Sequence, residues 1–237
     1  MLLTILSCGN QVETAEAPPE KTPSFEVEYA GALKNFMHKG DVSAKVALSE
    51  YAQIEHLYAL GAVENLKGEI QIFDGHPVNS YVEDGTMKFD SSYGKKAALF
   101  VGATVEEWGV FQIPDEIVTK EAFENFVAKT ASENGIDVSQ PFPFLMEGVV
   151  KEASWHVINW KDGDMEHSHE KHIASGLNGT VVDTAIEMLG FYSDSHHAIF
   201  THHTTNMHIH MRMADGTIAG HVDGFELGKN MTLKLPK

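Results

Sequence analysis

Cysteine is almost absent from this chain of 237 residues, which has a single one at position 8. One cysteine cannot form an intrachain disulfide, and it cannot supply the set of thiolates that a cysteine-based zinc site needs. Any metal centre must therefore use other side chains. Histidine is the abundant alternative, with 14 residues.

Positive charge is also scarce. Lysine and arginine number 17 against 34 acidic residues, which gives a net charge of −17. Such a field repels phosphate backbones, and no basic stripe reverses it locally. We therefore expect no nucleic-acid partner. A cationic metal, or a small molecule held by a metal, suits this charge better.

Long apolar runs are missing as well, since no segment after the N-terminus approaches the ~18–20 apolar residues that span a bilayer. A short apolar run precedes Cys8, and a segment biased to Pro, Glu and Thr follows it. This pattern resembles the end of a bacterial lipoprotein signal peptide and its tether. We expect residues 1–24 to be signal remnant and tether, with a lipid anchor at Cys8 as the membrane contact. The location would then be the cell envelope or periplasm, and the cytoplasm if this segment is not a signal.

Residues 25–237 are enough for one domain with two subdomains, which we place at about 25–140 and 141–237. Phosphate-binding glycine loops, P-loops and the Gly-x-Ser-x-Gly elbow are absent from the sequence. These absences argue against nucleotide-binding folds and serine hydrolases. The sequence is also compatible with a homodimer.

Turn and periodicity signals predict mostly strands. Asp-Gly pairs at 74–75 and 84–85 lie between short β-branched and aromatic runs, which predicts a meander. Apolar residues at helical spacing predict a helix in 41–60 that breaks at Gly61. A second helix is predicted to begin after Thr119 and to stop at Gly135. The chain beyond it is almost wholly β, so the fold class is α+β: largely antiparallel or mixed sheets with a few helices.

Three histidines stand near the C-terminus in the stretch NMHIHMRMADGTIAGHVDG. If Asp215-Gly216 forms a two-residue type I′ turn, His210 pairs with His221 across the hairpin. His208 and His210 then share one face, about 6.6–6.8 Å apart along the strand. His221 joins them from the neighbouring strand at about 4.5–5.5 Å. Three imidazoles with a fourth position left open are typical of a catalytic zinc site.

The same register places Asp223 opposite His208, where its carboxylate could fix the tautomer of a ligating imidazole. A solvated strand residue is the alternative for Asp223. The alternative for the trio is a chance or purely structural cluster, because the chain holds many histidines.

Together these segments resemble α-acetolactate decarboxylases over about residues 30–227. The resemblance lies in the HxH pair with a third histidine eleven positions later, in GHVDGFEL, in LYALGAVENLKGEIQIFDG and in NGTVVDTAIEMLGFYS. It implies a zinc ion held by His208, His210 and His221, with Glu69 nearby as a carboxylate that binds water or shuttles a proton. The implied reaction is metal-assisted decarboxylation of a small hydroxy-keto acid, giving acetoin and CO2. Without the resemblance, Glu69 would be a solvated strand residue on a face shared with Gln71 and Phe73.

Two positions depart from the family. The family has an arginine at about the place of His156, and a histidine can carry a proton but cannot grip a carboxylate with two parallel hydrogen bonds. The family also has an acidic residue near the metal in a longer C-terminal tail, for which Glu226 is too weak a match. The resemblance therefore supports metal binding by this chain better than it supports a particular substrate. His156 is a candidate catalytic residue.

The other histidines have no assigned role. We interpret His167, His169 and His172 in HSHEKH as a solvated polar turn rather than a second metal site. Among the pairs His196-His197 and His202-His203, we expect His203 or His197 to line the pocket.

Two other functions stay open. A cupin-type metal oxygenase also uses HxH, but it needs a later Glu in the strand and a Pro-x-Gly segment, which are missing here. A histidine-rich envelope protein that captures metal without catalysis would explain the extra histidines and the acidic surface.

Overall fold

The computed structural model describes residues 25–237. The predicted signal remnant, its tether and Cys8 lie outside the described residues. Within the described part, none of the helices has the length and apolar character needed to cross a bilayer.

The first sheet contains the eight strands between Val27 and Thr104, all paired antiparallel. They are β1 Val27–Ala30, β2 Val46–Ala47, β3 Leu57–Val63, β4 Glu69–Phe73, β5 His76–Pro77, β6 Asn79–Glu83, β7 Thr86–Asp90 and β8 Lys96–Thr104. Their spatial order is β1-β8-β3-β4-β6-β7, with β2 paired to β8 and β5 to β4. Strand β4 is therefore central.

The second sheet holds the remaining six strands. They are β9 Trp108–Gln112, β10 Phe142–Val157, β11 Leu177–Tyr192, β12 Met207–Met213, β13 Ala219–Glu226 and β14 Thr232–Pro236. The order is β11-β12-β13-β10-β14-β9, and β11 also pairs with β10. Strands β10, β11, β12 and β13 thus form a closed ring of paired strands. The sheets divide between β8 and β9, and the α+β class with two packed subdomains is confirmed.

Within residues 25–237, three α-helices accompany the sheets: α1 Leu33–Lys39, α2 Lys120–Glu133 and α3 His169–Ala174. Helix α2 begins as predicted, because the Thr119 side chain accepts a hydrogen bond from the Ala122 amide at 3.2 Å. Phe123 and Val127 are fully buried on its inner face. Burial of each such side chain contributes about 1.5–3 kcal/mol.

The helix predicted in 41–60 is wrong. The segment forms β2, a short 3-10 turn over Leu48–Tyr51, and β3, which is buried along its whole length. Short apolar runs buried on both faces have no clear period, so periodicity did not separate strand from helix. Gly61 allows this packing: it has φ 157°, and a Cβ there would lie 2.0 Å from the Leu99 carbonyl oxygen of β8.

The predicted meander is confirmed. Asp74 and Gly75 both have positive φ, 51° and 74°, as do Asp84 and Gly85, at 50° and 71°. These values are those of type I′ turns, which match the twist of the strands they join. They connect β4 to β5 and β6 to β7.

The two sheets share one apolar cluster. Leu60 of β3 and Leu99 of β8 pack with Leu189 and Phe191 of β11. A polar contact also joins the sheets. The side-chain amide of Gln71 in β4, in the orientation that satisfies both of its polar groups, donates a hydrogen bond to the Val78 carbonyl at 2.7 Å. Its oxygen accepts a hydrogen bond at 3.0 Å from the Gly220 backbone amide of β13, in the second sheet. The strand that carries Glu69 is therefore fixed against β13.

Candidate metal centre

The histidine hairpin has the predicted register. His210 of β12 lies opposite His221 of β13. His208, His210 and His221 are all buried, with 4%, 0% and 8% of each residue exposed. Their ring centroids are 5.0 to 5.4 Å apart in all three pairs. The three rings therefore form one buried cluster.

The turn itself differs from the prediction. Gly216 has φ 71°, but Asp215 is not among the residues with positive φ, so this is not a type I′ turn. The Asp215 carboxylate accepts hydrogen bonds from the Thr217 amide and hydroxyl, at 3.0 and 2.7 Å, which favours a longer loop. The Met213 amide donates to the Ile218 carbonyl and closes a loop of residues 214–217. That pairing keeps the same register, so the histidines still face each other.

The separation of two imidazole nitrogens fits a bound metal. The Nε2 atoms of His208 and His210 are 3.2 Å apart. Two nitrogens at 2.0–2.1 Å from a tetrahedral zinc ion lie about 3.3–3.4 Å from each other. The Nδ1 atoms of buried His208, His210 and His221 make no hydrogen bond to any of the described residues. The donor set present therefore suits a borderline divalent cation such as zinc.

Burial keeps these imidazoles neutral. It lowers the pKa of His208 and His210 well below the ordinary value, and repulsion from neighbouring imidazoles adds to the effect. Burial likewise lowers the pKa of His221 to about 3. A neutral imidazole has a free lone pair, which is the form that binds metals.

Asp223 contacts a different histidine from the one predicted. The pairing of β12 with β13 does not extend to His208, and Asp223 instead faces His156 of β10, whose Nδ1 atom is 2.9 and 3.0 Å from its two carboxylate oxygens. The cause is a bulge: Ser154 pairs with Gly224 and Trp155 with Val222, so Asp223 is an extra residue. Bulges of this kind redirect side chains.

The carboxylate of Asp223 also lies close to a ligand candidate, with Oδ1 3.4 Å from His221 Nδ1. Donor atoms of His156, His221 and Asp223 all lie within 4.8 Å of one another, and these residues form a second candidate donor set that shares His221 with the trio. Burial opposes the charge of Asp223, but the hydrogen bond from His156 and the nearby imidazole of His221 hold its pKa well below the ordinary value.

Glu69 of β4 lies beneath the hairpin and is buried, not solvated. Its Oε1 accepts a hydrogen bond from the Ile158 amide at 3.0 Å and lies 3.8 Å from His156 Nε2. Its Oε2 is 3.9 Å from His210 Nε2. Burial raises the pKa of Glu69 to about 7, against the opposing effects of His156 and the Ile158 amide. A carboxyl group that can hold or release a proton near neutral pH thus lies beside the imidazoles.

His156 is also buried and is placed between two carboxylates. Burial disfavours its charged form, but the hydrogen bond to Asp223 and the charge of Glu69 raise its pKa on balance. Glu226, by contrast, forms an ion pair with Lys151 at the surface. The structure therefore brings Glu69, His156 and the trio together and leaves Glu226 outside.

Two predictions about the other histidines are wrong. The HSHEKH segment is not a solvated turn: Ser168 caps α3 by accepting from the Lys171 amide, and His169 and His172 line the cavity. Their spacing of three residues after an N-cap serine was the available signal for a shared helix face. In the pair 202–203, His202 lines the cavity, while His203 and His197 are exposed.

The cavity beside the imidazoles has a volume of about 50 Å³. Histidines form one side. Apolar side chains of α1, of β8, of the 3-10 turn after β3 and of the residue after β10 form the other; they are Leu33, Phe36, Leu66, Leu99 and Ile158. Among the described residues that line it, none is lysine or arginine. The site therefore combines a polar, metal-ligating wall with an apolar wall.

Solved structures share this fold, although no family model and no curated sequence matches the chain. The α-acetolactate decarboxylase of Bacillus subtilis strain 168 matches 89% of this chain and 85% of its own, with a TM-score of 0.68 and 14% identity. The enzyme of B. subtilis subspecies spizizenii matches with 0.67 and 14%, over 89% and 86%. A Staphylococcus aureus protein of unknown function, described as similar to α-acetolactate decarboxylase, matches with 0.65 and 12%, over 88% and 84%. The chain thus has the fold of the acetolactate decarboxylases.

Proposed function

We propose that this protein is a zinc-dependent decarboxylase of acetolactate or a similar 2-hydroxy-3-keto acid, with CO2 and an acetoin-type product. One observation carries the proposal. Three buried, neutral imidazoles converge beside a buried carboxyl group, on a fold shared with acetolactate decarboxylases.

We assign the metal to His208, His210 and His221. The overlapping set of His156, His221 and Asp223 is the weaker choice, because the Nδ1 atom of His156 donates its hydrogen to Asp223 and so has no lone pair for a metal. In our assignment Asp223 is a carboxylate that orients imidazoles around the centre. Such carboxylate partners commonly fix the tautomer and raise the basicity of a metal-bound histidine.

With a zinc ion held by His208, His210 and His221, the site would offer Lewis-acid stabilisation of the negative charge that develops on the substrate oxygens as CO2 leaves. The protein must then protonate the carbon that has lost CO2. Glu69 is the acid we assign, since its carboxyl group is buried beside the imidazoles and its Oε2 is 3.9 Å from His210 Nε2. The Ile158 amide holds Glu69 in place. His156, 3.8 Å from Glu69 and hydrogen-bonded to Asp223, is placed to return the proton to Glu69.

Substrate selection follows from the two walls of the cavity. Leu33, Phe36 and Leu66 suit short alkyl groups. His156 stands about where the family has an arginine, so the substrate carboxylate meets imidazoles rather than a guanidinium. We therefore propose weaker binding of the carboxylate than an arginine-containing site would give.

Metal analysis followed by a CO2 assay tests the function. Purified wild-type protein should hold about one zinc per chain and release CO2 from acetolactate or from a homologue with a longer alkyl group. Removing the metal with a chelator should abolish release, and added zinc should restore it. Stoichiometric zinc without CO2 release from any acetohydroxy acid would contradict the enzymatic proposal and leave the metal site.

Stoichiometric zinc without CO2 release would favour the alternative of a non-catalytic metal-binding protein. The observation on its side is the number of histidines at the cavity, since His169, His172 and His202 join the buried trio there. Capture without catalysis predicts several ions per chain.

From the sequence alone we also propose a lipid anchor at Cys8 and an envelope location. The mass of the mature protein, isolated from membranes, would test the anchor. Its size in solution would test the proposed homodimer.

A further inference from the structure

The buried trio is reached past a rim of histidines. His208, His210 and His221 have little exposed surface, so an ion from solvent must pass the residues that line the cavity above them. His169 of α3 is the exposed member of this rim, with 44% of its side chain accessible. His202, in the loop before β12, lies between His169 and the trio.

The spacing of these rings continues inward without a gap. The ring centroids of His169 and His202 are 5.2 Å apart. His202 is 5.7 Å from His221 and 6.5 Å from His208. The rings of the trio are 5.0 to 5.4 Å apart, so the rim rings are spaced somewhat more widely than those of the centre but form a continuous series with them.

Asp223 connects the rim to the centre. Its Oδ1 is 3.7 Å from His169 Nε2 and 3.4 Å from His221 Nδ1. One carboxylate oxygen is therefore within reach of an exposed imidazole on one side and a buried one on the other. An ion moving inward could exchange one imidazole for another while it keeps the same oxygen ligand.

We propose that His169, His202 and Asp223 form an outer site for a divalent cation of the zinc class, and that this site loads the buried centre. The inference rests on the proposed metal centre. Two imidazoles and one carboxylate leave positions for water, so the outer site binds more weakly than three imidazoles in a buried pocket. Stepwise ligand exchange avoids the large cost of stripping a bare cation of water beside the apolar wall.

Zinc binding by the metal-free protein tests the outer site. The variant is His169→Ala/His202→Ala, and the matched control is His38→Ala/His203→Ala, which removes two exposed histidines that do not line the cavity. Equilibrium dialysis gives the number of ions and their affinities, and stopped-flow competition with a coloured chelator gives the loading rate. The absorption of Co2+ in the visible range reports on tetrahedral coordination at the centre.

Wild-type protein and the control should bind one tight and one weaker ion. The rim variant should lose the weaker ion and load the tight one at least about 10-fold more slowly, with the final affinity and Co2+ spectrum unchanged. If this variant does not fold, His169→Gln alone, at an exposed position, should weaken the second ion.

Three results would overturn the proposal. A single ion in wild-type protein, loaded at the same rate by the rim variant, removes the outer site and leaves the proposed function intact. Loss of the tight ion from the rim variant makes His169 or His202 a ligand of the centre instead. Absence of any bound zinc in wild-type protein removes both the centre and the outer site.

Discussion

The imidazole of His156 and the carboxylate of Asp223 form a hydrogen-bonded pair, with Nδ1 2.9 Å from Oδ1. The pair joins β10 to the bulge of β13, next to His221. Because Asp223 fixes Nδ1 of His156 as the donor, Nε2 is directed toward Glu69. The pair therefore links the orientation of His156 to the carboxyl group that we propose as the proton donor.

Replacing Asp223 by asparagine should weaken both metal binding and catalysis. The amide has the same shape but lacks the charge that stabilises the imidazoles and attracts the cation. We expect a loss of zinc affinity of about 10- to 100-fold, as for other carboxylates that support metal-bound histidines. Competition with a chelator measures the affinity, and CO2 release at saturating zinc measures kcat. Asp215→Asn, in the exposed loop of the same hairpin, is the control, and equal affinities for both variants would contradict the role of Asp223.

Replacing His210 by alanine should remove the bound metal. His210 is fully buried, so no water-exposed alternative ligand can replace it easily. Zinc affinity should fall by more than about 100-fold, since loss of a direct ligand exceeds the 10- to 100-fold effect of a supporting residue. Wild-type protein at 100 times the dissociation constant should gain about 2.7 kcal/mol of stability from zinc, and the variant should gain almost none. Thermal unfolding with and without zinc measures both, with His203→Ala as the control. Retention of stoichiometric zinc by His210→Ala would assign the ion to His156, His221 and Asp223.

The histidine hairpin could be predicted because its information is local. Alternation of side chains and the Asp-Gly signal set the pairing of His210 with His221 within a dozen residues. Even the wrong turn type left the register unchanged, since Met213 and Ile218 close the longer loop in the same alignment.

The rest of the site depends on contacts that are distant in sequence. Glu69 is buried because β4 packs under β13 and because the Ile158 amide, 89 residues away, binds its carboxylate. The choice of His202 over His203 depends on the path of an irregular loop, which has no period to read. The helix wrongly predicted in 41–60 failed for a related reason, since β3 is apolar on both faces and only its place between β4 and β8 identifies it as a strand.

Replacing Gly61 by alanine should destabilise the protein strongly. The residue has φ 157°, and a Cβ would lie 2.0 Å from the Leu99 carbonyl oxygen, which belongs to backbone and cannot move freely. We expect the free energy of unfolding to fall by more than about 3 kcal/mol, in the range of severe core defects. Gly85→Ala is the control: its φ is 71° but nothing lies within 4 Å of the added Cβ, so the cost should be about 1–2 kcal/mol. Urea unfolding measures both variants, and similar losses would show that the close approach of β3 to β8 is not tightly packed.

Replacing Glu69 by glutamine should change how the stability of the metal-free protein depends on pH. Burial raises the pKa of Glu69 from 4.5 to about 7 in the folded state, so the folded protein holds a proton that the unfolded chain has released in this range. The stabilisation from this proton is fully present below pH 4.5 and is lost as the pH rises through 7. Glutamine stays neutral and keeps an oxygen that can accept from the Ile158 amide, so the variant avoids this loss.

The difference between the two proteins reports on Glu69 and on His156, whose pKa the charge of Glu69 raises. His208, His210 and His221 have lowered pKa values and destabilise the folded state as the pH falls below about 6.5, but they do so in both proteins. We therefore expect Glu69→Gln to gain about 3 kcal/mol over wild type between pH 4.5 and 8, since each pKa unit corresponds to about 1.36 kcal/mol. Urea unfolding of both metal-free proteins across this range measures the gain, with Glu83→Gln at an exposed strand end as the control. Parallel stability curves for wild type and Glu69→Gln would mean that Glu69 is ionised throughout in the folded protein, and it could not then serve as the proton donor.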